Sequence, residues 1–321
     1  MVKWTGEKVG LALGGGGVRG FSHIGVLNVL EEEGIDIDLI VGTSAGALIG
    51  GAYASGQSPR EIQDKIEAYL RSPEFNTSTI KSIGMSFSRE NKSFFNRAKT
   101  YIMNRYWFAQ AFFRPAILPV NDFQSLINYF LPEIDIRETK IPFRAVSTDL
   151  ITGNKIVFSE GSLRQAVLAS CSVPGAVAPV RHGDWLLADG GITSIVPIHA
   201  TREAGADVVI AVIVDREPQA SVDIETAKDV LYRAGEITAN ALEASELKEA
   251  DVIIRPEVGD LHWMDFSRAA DLIKMGEAAA RESLGKICTS LPLYRRIVRF
   301  TANFIKRGKK RIPGCHLSKP R

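Results

Sequence analysis

The sequence predicts an α/β fold in which helices layer against a sheet, and three observations carry that expectation. Short, continuously apolar runs at residues 9–13, 39–41 and 208–214 have the length of buried strands. Between them lie stretches with apolar residues at helical spacing, such as Ile24, Leu27 and Leu30 within residues 21–33. Strand and helix patterns then alternate as far as residue 284, which is the signature of a layered α/β sheet. A chain of 321 residues, 45% hydrophobic and 24% charged, can bury an ordinary globular core.

Each element has its own reason. Residues 9–13 read as a strand that stops at Gly14, and a glycine run leads into the helix of 21–33. Residues 39–41 read as a second strand, and residues 47–54 as a helix packed on the sheet. Pro59 fits the first turn of a helix reaching residue 70, where its missing N–H costs nothing. Residues 143–147 and 155–158 read as strands, 162–169 as a short helix, and 185–188 as a strand ending in Asp189-Gly190-Gly191. The run 208–214 fits a sheet centre covered on both faces. A helix over 225–248, a strand over 252–255 and a helix over 267–284 complete the pattern.

Two segments stand outside it. Residues 77–119 are rich in aromatic and basic side chains and are expected to form an insertion or lid. In residues 291–321, Leu293, Ile297, Phe300 and Phe304 recur at helical spacing opposite Arg295, Arg296 and Arg299. The expected organisation is therefore one domain over 1–290 and a basic amphipathic tail, suited either to an anionic membrane surface or to packing on the core with its basic face in solvent.

Composition excludes several functions. Lys and Arg number 39 against 37 Asp and Glu, which gives no case for a nucleic-acid partner. Three cysteines, Cys171, Cys288 and Cys315, are widely spaced without C-x-x-C, so neither a disulfide scaffold nor a zinc site is expected. No metal and no cofactor is implied. Residues 1–8 do not read as a secretory leader, and no apolar stretch is long enough to span a bilayer. The expectation is a cytoplasmic protein, peripheral on the inner face of the membrane if it meets one. Oligomeric state does not follow.

The chemistry concentrates in three glycine-rich turns. Gly42-Thr43-Ser44-Ala45-Gly46 fits G-x-S-x-G between a strand and a helix, the setting of a nucleophilic serine. Gly14-Gly15-Gly16-Gly17-Val18-Arg19-Gly20 has two readings. It satisfies the dinucleotide fingerprint, but no acidic residue ends the second strand to hold a ribose. Alternatively its bare amides form an oxyanion hole, and an adjoining serine turn favours that reading. For the general base, His23, His182, His199, His262 and His316 compete with Asp189, a strand-end carboxylate on a tight turn. Asp149 reads as a turn aspartate, and Ser170 and Ser172 as cap or turn residues.

Together, Gly15–Gly20, Gly42–Gly46 and Asp189–Gly191 resemble the patatin-like phospholipase family. The block Ala169-Ser170-Cys171-Ser172-Val173-Pro174-Gly175 and the turn Ser147-Thr148-Asp149-Leu150 extend the likeness over residues 8–202. The resemblance implies a three-layer α/β/α fold with a mainly parallel central sheet. It implies hydrolysis of lipid acyl esters, phospholipid or lysophospholipid, by a serine–aspartate pair. Ser44 would be the nucleophile and Asp189 the base. The amides around Gly15, Gly16 and Gly17 would form the oxyanion hole, with Arg19 bracing that loop or meeting the head group. Rival readings are a non-catalytic membrane-binding protein of the same fold and, from the glycine loop, a nucleotide-dependent oxidoreductase.

Overall fold

The computed structural model describes residues 7–81, 116, 118, 120–214, 224–259, 261 and 263–292. The expected lid at 77–119 and tail at 291–321 fall almost wholly outside the described residues, as do His262 and His316. Among the described residues eight strands make one sheet: β1 Val9–Leu13, β2 Leu39–Thr43, β3 Phe143–Asp149, β4 Lys155–Phe158, β5 Val180–His182, β6 Trp185–Asp189, β7 Val208–Val212 and β8 Val252–Ile254. The order is β5-β6-β3-β2-β1-β7-β8, with β4 paired to β3. β8, β7, β1, β2 and β3 run parallel; β4, β5 and β6 add antiparallel pairs at the β3 end.

Nine helices are described: α1 Ser22–Glu32, α2 Ala45–Ala54, α3 Pro59–Arg71, α4 Pro73–Thr77, α5 Val120–Phe130, α6 Leu163–Ser170, α7 Ile198–Glu203, α8 Ala227–Glu246 and α9 Ala269–Ser290. Period-2 alternation along the strands sends side chains into two separate cores. Val9, Leu11, Leu13, Ile40, Ile210 and Val212 pack beneath α1, α2, α3, α5, α6 and α9. Ala12, Leu39, Val41, Val209 and Ala211 pack on the other face against Ile198 and Ala200 of α7 and Ala239 and Leu242 of α8. Helices thus flank a mostly parallel sheet on both sides, as the sequence predicts. One placement differs. The apolar strand β7 is covered on both faces but lies one strand in from the edge, beside β8, and not at the centre.

The path of β3 positions the site. Its residues Ala145 and Val146 pair with β2 on one side and β4 on the other. Ser147 and Thr148 also pair with β4, but their other neighbour is β6. β2 and β6 therefore occupy the same side of β3 and approach end to end. Thr43 is opposite Val146, and Asp189 is opposite the next residue, Ser147. The strand ends carrying Ser44 and Asp189 meet because of this shared edge.

Candidate active site

Ser44 leaves β2 with φ 53° and ψ −122°, and it is the one non-glycine residue with positive φ among the described residues. That strained turn is the geometry a nucleophile elbow needs. The glycines around it allow a tight packing. A Cβ on Gly46 would lie 2.2 Å from the Leu13 carbonyl oxygen, and one on Gly42 2.5 Å from Ala47 Cα. Contacts from α6 hold the turn. The Ser44 N–H donates to Ser170 Oγ at 2.9 Å, and Cys171 Sγ donates to the Ser44 carbonyl at 3.1 Å. Ser170 is thus a clamp on the elbow and not a helix cap, which its place in the sequence could not reveal. Ser172 keeps its local role, donating to Leu168 O at 2.8 Å.

Asp189 ends β6 almost fully buried, 6% exposed, and Ser44 beside it is 7% exposed. Asp189 Oδ1 accepts the Gly191 N–H at 2.8 Å. Oδ2 has no partner of ordinary hydrogen-bond geometry among the described residues. Burial pushes this carboxyl up to about 6, opposed by the Ser44 side chain and the Gly191 amide. A buried carboxylate with a raised pKa and a serine hydroxyl as its polar neighbour is a competent proton acceptor. Asp149 is used otherwise: it accepts from Thr152 Oγ1 at 2.7 Å and Leu186 N at 3.0 Å, and these donors, Thr152 first, lower its pKa. It is the turn residue the sequence predicts.

The glycine loop corrects the expectation in one respect. The Gly15 N–H is committed to the Ile195 carbonyl at 3.0 Å. The Gly16, Gly17 and Ala45 amides donate to no partner among the described residues and remain available to an oxyanion. Arg19 is buried and its Nε donates to Gly16 O at 3.1 Å. Because a trans peptide points its C=O and N–H in opposite directions, this bond also orients the Gly17 N–H. His23 sits behind the same loop, with Nε2 2.8 Å from the Gly14 carbonyl. Burial lowers its pKa to about 4, so it is neutral and donates from Nε2. It faces the loop's back and is not placed as a base for Ser44. His182 stacks on Trp185, and His199 lies between Glu203 and Glu249, both away from the cleft.

Two cavities meet at Ser44. An open cleft of about 280 Å³ is lined by Gly15, Gly16, Gly17, Arg19, Asp189 and Ile192 among others. A second cavity, about 110 Å³, runs between the helices and is lined by Leu48, Ile49, Ile66, Tyr69, Phe130 and Met264 among others, nearly all apolar. Among the described residues no cluster of His, Cys, Asp or Glu could hold a metal ion. No described helix is long and apolar enough to cross a membrane.

The family model described as patatin-like phospholipase matches residues 11–202. An uncharacterized NTE family protein of Mycobacterium tuberculosis is 32% identical over 208 residues, which is 65% of this chain and 49% of that protein. Lysophospholipase NTE1 of Meyerozyma guilliermondii is 27% identical over 305 residues, 87% of this chain and 19% of that protein. The chain thus spans about half the length of the mycobacterial relative and about a fifth of the fungal one. Among solved structures, VipD from Legionella pneumophila aligns over 87% of this chain and 67% of that chain, at 15% identity and a TM-score of 0.43.

Proposed function

The chain belongs to the patatin-like phospholipase family, and from that premise we propose that it is a serine hydrolase of lipid carboxylic esters, acting on phospholipids or lysophospholipids. The observation that carries this reading is the meeting of the strained Ser44 with the buried, raised-pKa carboxyl of Asp189. Ser44 Oγ attacks the acyl carbonyl while its proton passes to Asp189. The Gly16, Gly17 and Ala45 amides receive the negative oxygen, each such donor contributing roughly 3–4 kcal/mol to the transition state. Collapse of the tetrahedral intermediate expels the alcohol, which takes the proton from Asp189. Water then attacks the acyl-enzyme and gives its proton to Asp189; collapse breaks the bond from the acyl carbon to Ser44 Oγ, that proton returns to Ser44 Oγ, and the fatty acid leaves.

The apolar cavity beside Ser44 suits one acyl chain, and the open cleft with Arg19 suits the polar remainder. The fungal relative's description as a lysophospholipase agrees with a single-chain substrate. A lipid substrate also makes peripheral contact with an anionic membrane part of this reading. The test is a panel of soluble short-chain esters, lysophospholipids and phospholipids, run on wild type and Ser44→Ala. Ser44→Ala should fold and lose at least about a thousandfold in kcat. Retained hydrolysis, or no labelling of the wild type by a fluorophosphonate, would end the proposal.

A further inference from the structure

Glu246 lies at the last turn of α8, beyond the stretch that the family model matches, and no catalytic step above uses it. Its carboxylate is nevertheless engaged at both oxygens. Ser194 Oγ donates to Oε1 at 2.5 Å, and the Val196 N–H donates to Oε2 at 3.0 Å. The segment so held, residues 194–196, is fully or almost fully buried and follows directly on the turn after Asp189.

The backbone of that segment reaches the two other parts of the site. The Ser194 carbonyl accepts Thr43 Oγ1 at 3.0 Å, one residue before Ser44. The Ile195 carbonyl accepts the Gly15 N–H at 3.0 Å, at the head of the glycine loop. The Ser194 N–H returns to Gly190 O at 2.8 Å, in the turn that Asp189 caps. A single carboxylate therefore fastens a segment that touches the nucleophile's strand, the oxyanion loop and the base's turn.

We propose that Glu246 is a positioning residue for the hydrolysis: it holds residues 194–196 so that Ser44, Asp189 and the glycine-loop amides keep their mutual alignment. This inference rests on the serine hydrolase reading. Misplacement of reacting groups by about 1 Å can cost on the order of 100-fold in rate without changing substrate affinity. Removing the carboxylate should thus act on kcat. A carboxylate that only capped local structure would alter stability and leave kcat alone.

The experiment compares wild type, Glu246→Ala, Glu246→Gln, Ser194→Ala and Ser44→Ala on a soluble short-chain ester, with melting temperatures and fluorophosphonate labelling rates measured alongside. Glu246→Ala should lose about 100-fold in kcat with KM held within about threefold, and label correspondingly slowly. Glu246→Gln should recover most of the rate, since its carbonyl still accepts the Val196 N–H and its amide can donate to Ser194 Oγ. Ser194→Ala should fall about tenfold, because the second hydrogen bond remains. A Glu246→Ala kcat within threefold of wild type, a loss confined to KM, or a Gln variant no faster than Ala overturns the proposal. If Glu246→Ala does not fold, Ser194→Ala decides: a kcat within threefold of wild type, or a loss confined to KM, overturns the proposal. Activity surviving in Ser44→Ala would instead strike down the hydrolase reading, so the two failures are distinguishable.

Discussion

For single residues, the proposed role of Asp189 as base and its burial set opposing demands. In the unfolded chain Asp189 ionises near its ordinary 3.8, and in the folded protein near 6. Between those values the folded state holds the proton more tightly, so this group's contribution to stability is best at low pH and declines as pH rises to about 6. Above that the cost of the buried charge is complete, at most about 3 kcal/mol. Asp189→Asn should therefore be nearly inactive yet melt higher than wild type at pH 8, with the difference shrinking toward pH 4 in a series of thermal melts. Equal melting at every pH would show that Asp189 carries no buried-charge penalty. In wild type, kcat should fall as pH drops through about 6, since Asp189, the proposed base, is then protonated. A pH–rate profile flat through that range would remove Asp189 from the role.

At the scale of elements, close backbone approach decides what the glycines do. A Cβ on Gly16 would sit 2.6 Å from Val214 Cγ2 and 3.3 Å from Val214 O, so even alanine must displace the loop or Val214 beside it. Gly16→Ala should lower kcat at least about tenfold while KM stays nearly constant, as loss of oxyanion alignment acts on the transition state. Steady-state kinetics on a soluble ester would read this directly. The crossing of α1 and α9 depends on glycine more severely. A Cβ on Gly276 would meet Ser22 O at 1.9 Å, and one on Gly25 would meet Ile273 O at 1.9 Å. Gly276→Ala should cost about 1–3 kcal/mol or more in denaturant unfolding, because backbone must move. The strong periodic elements were legible in advance, since β1 and β4 match the sequence reading residue for residue. The short β5 and α7 and the polar-faced α5 were missed: three to six residues carry too little periodicity, and α5 lay against a segment read as a lid.

At the scale of the whole molecule, one sheet serves two cores. Leu11 belongs to the core under α1 and α9, and Ile198 to the core under α7 and α8; both are fully buried. Leu11→Ala and Ile198→Ala should each cost about 2–5 kcal/mol. Since the same strands wall both cores, each variant should still unfold in one transition, with near- and far-ultraviolet circular dichroism coinciding. Two separated transitions in either variant would mean that the faces of the sheet unfold independently.

The layered α/β class, the strand before Ser44 and the three turns that carry Ser44, Asp189 and the glycine amides were readable from the order of amino acids alone. Those are local matters: apolar periodicity, and glycines where backbones must approach closely. Which parts meet is set by the packed fold. Nothing local says that β6 ends against β2 on one edge of β3, bringing residues 44 and 189 together across 145 positions of chain. Nothing local says that the Gly15 amide is consumed by Ile195, that Ser170 clamps the elbow, or that Glu246 reaches back to Ser194. Hydrogen bonds of that kind join residues distant in sequence, and a side chain's partner is set by the packing of whole elements, not by its neighbours in the chain.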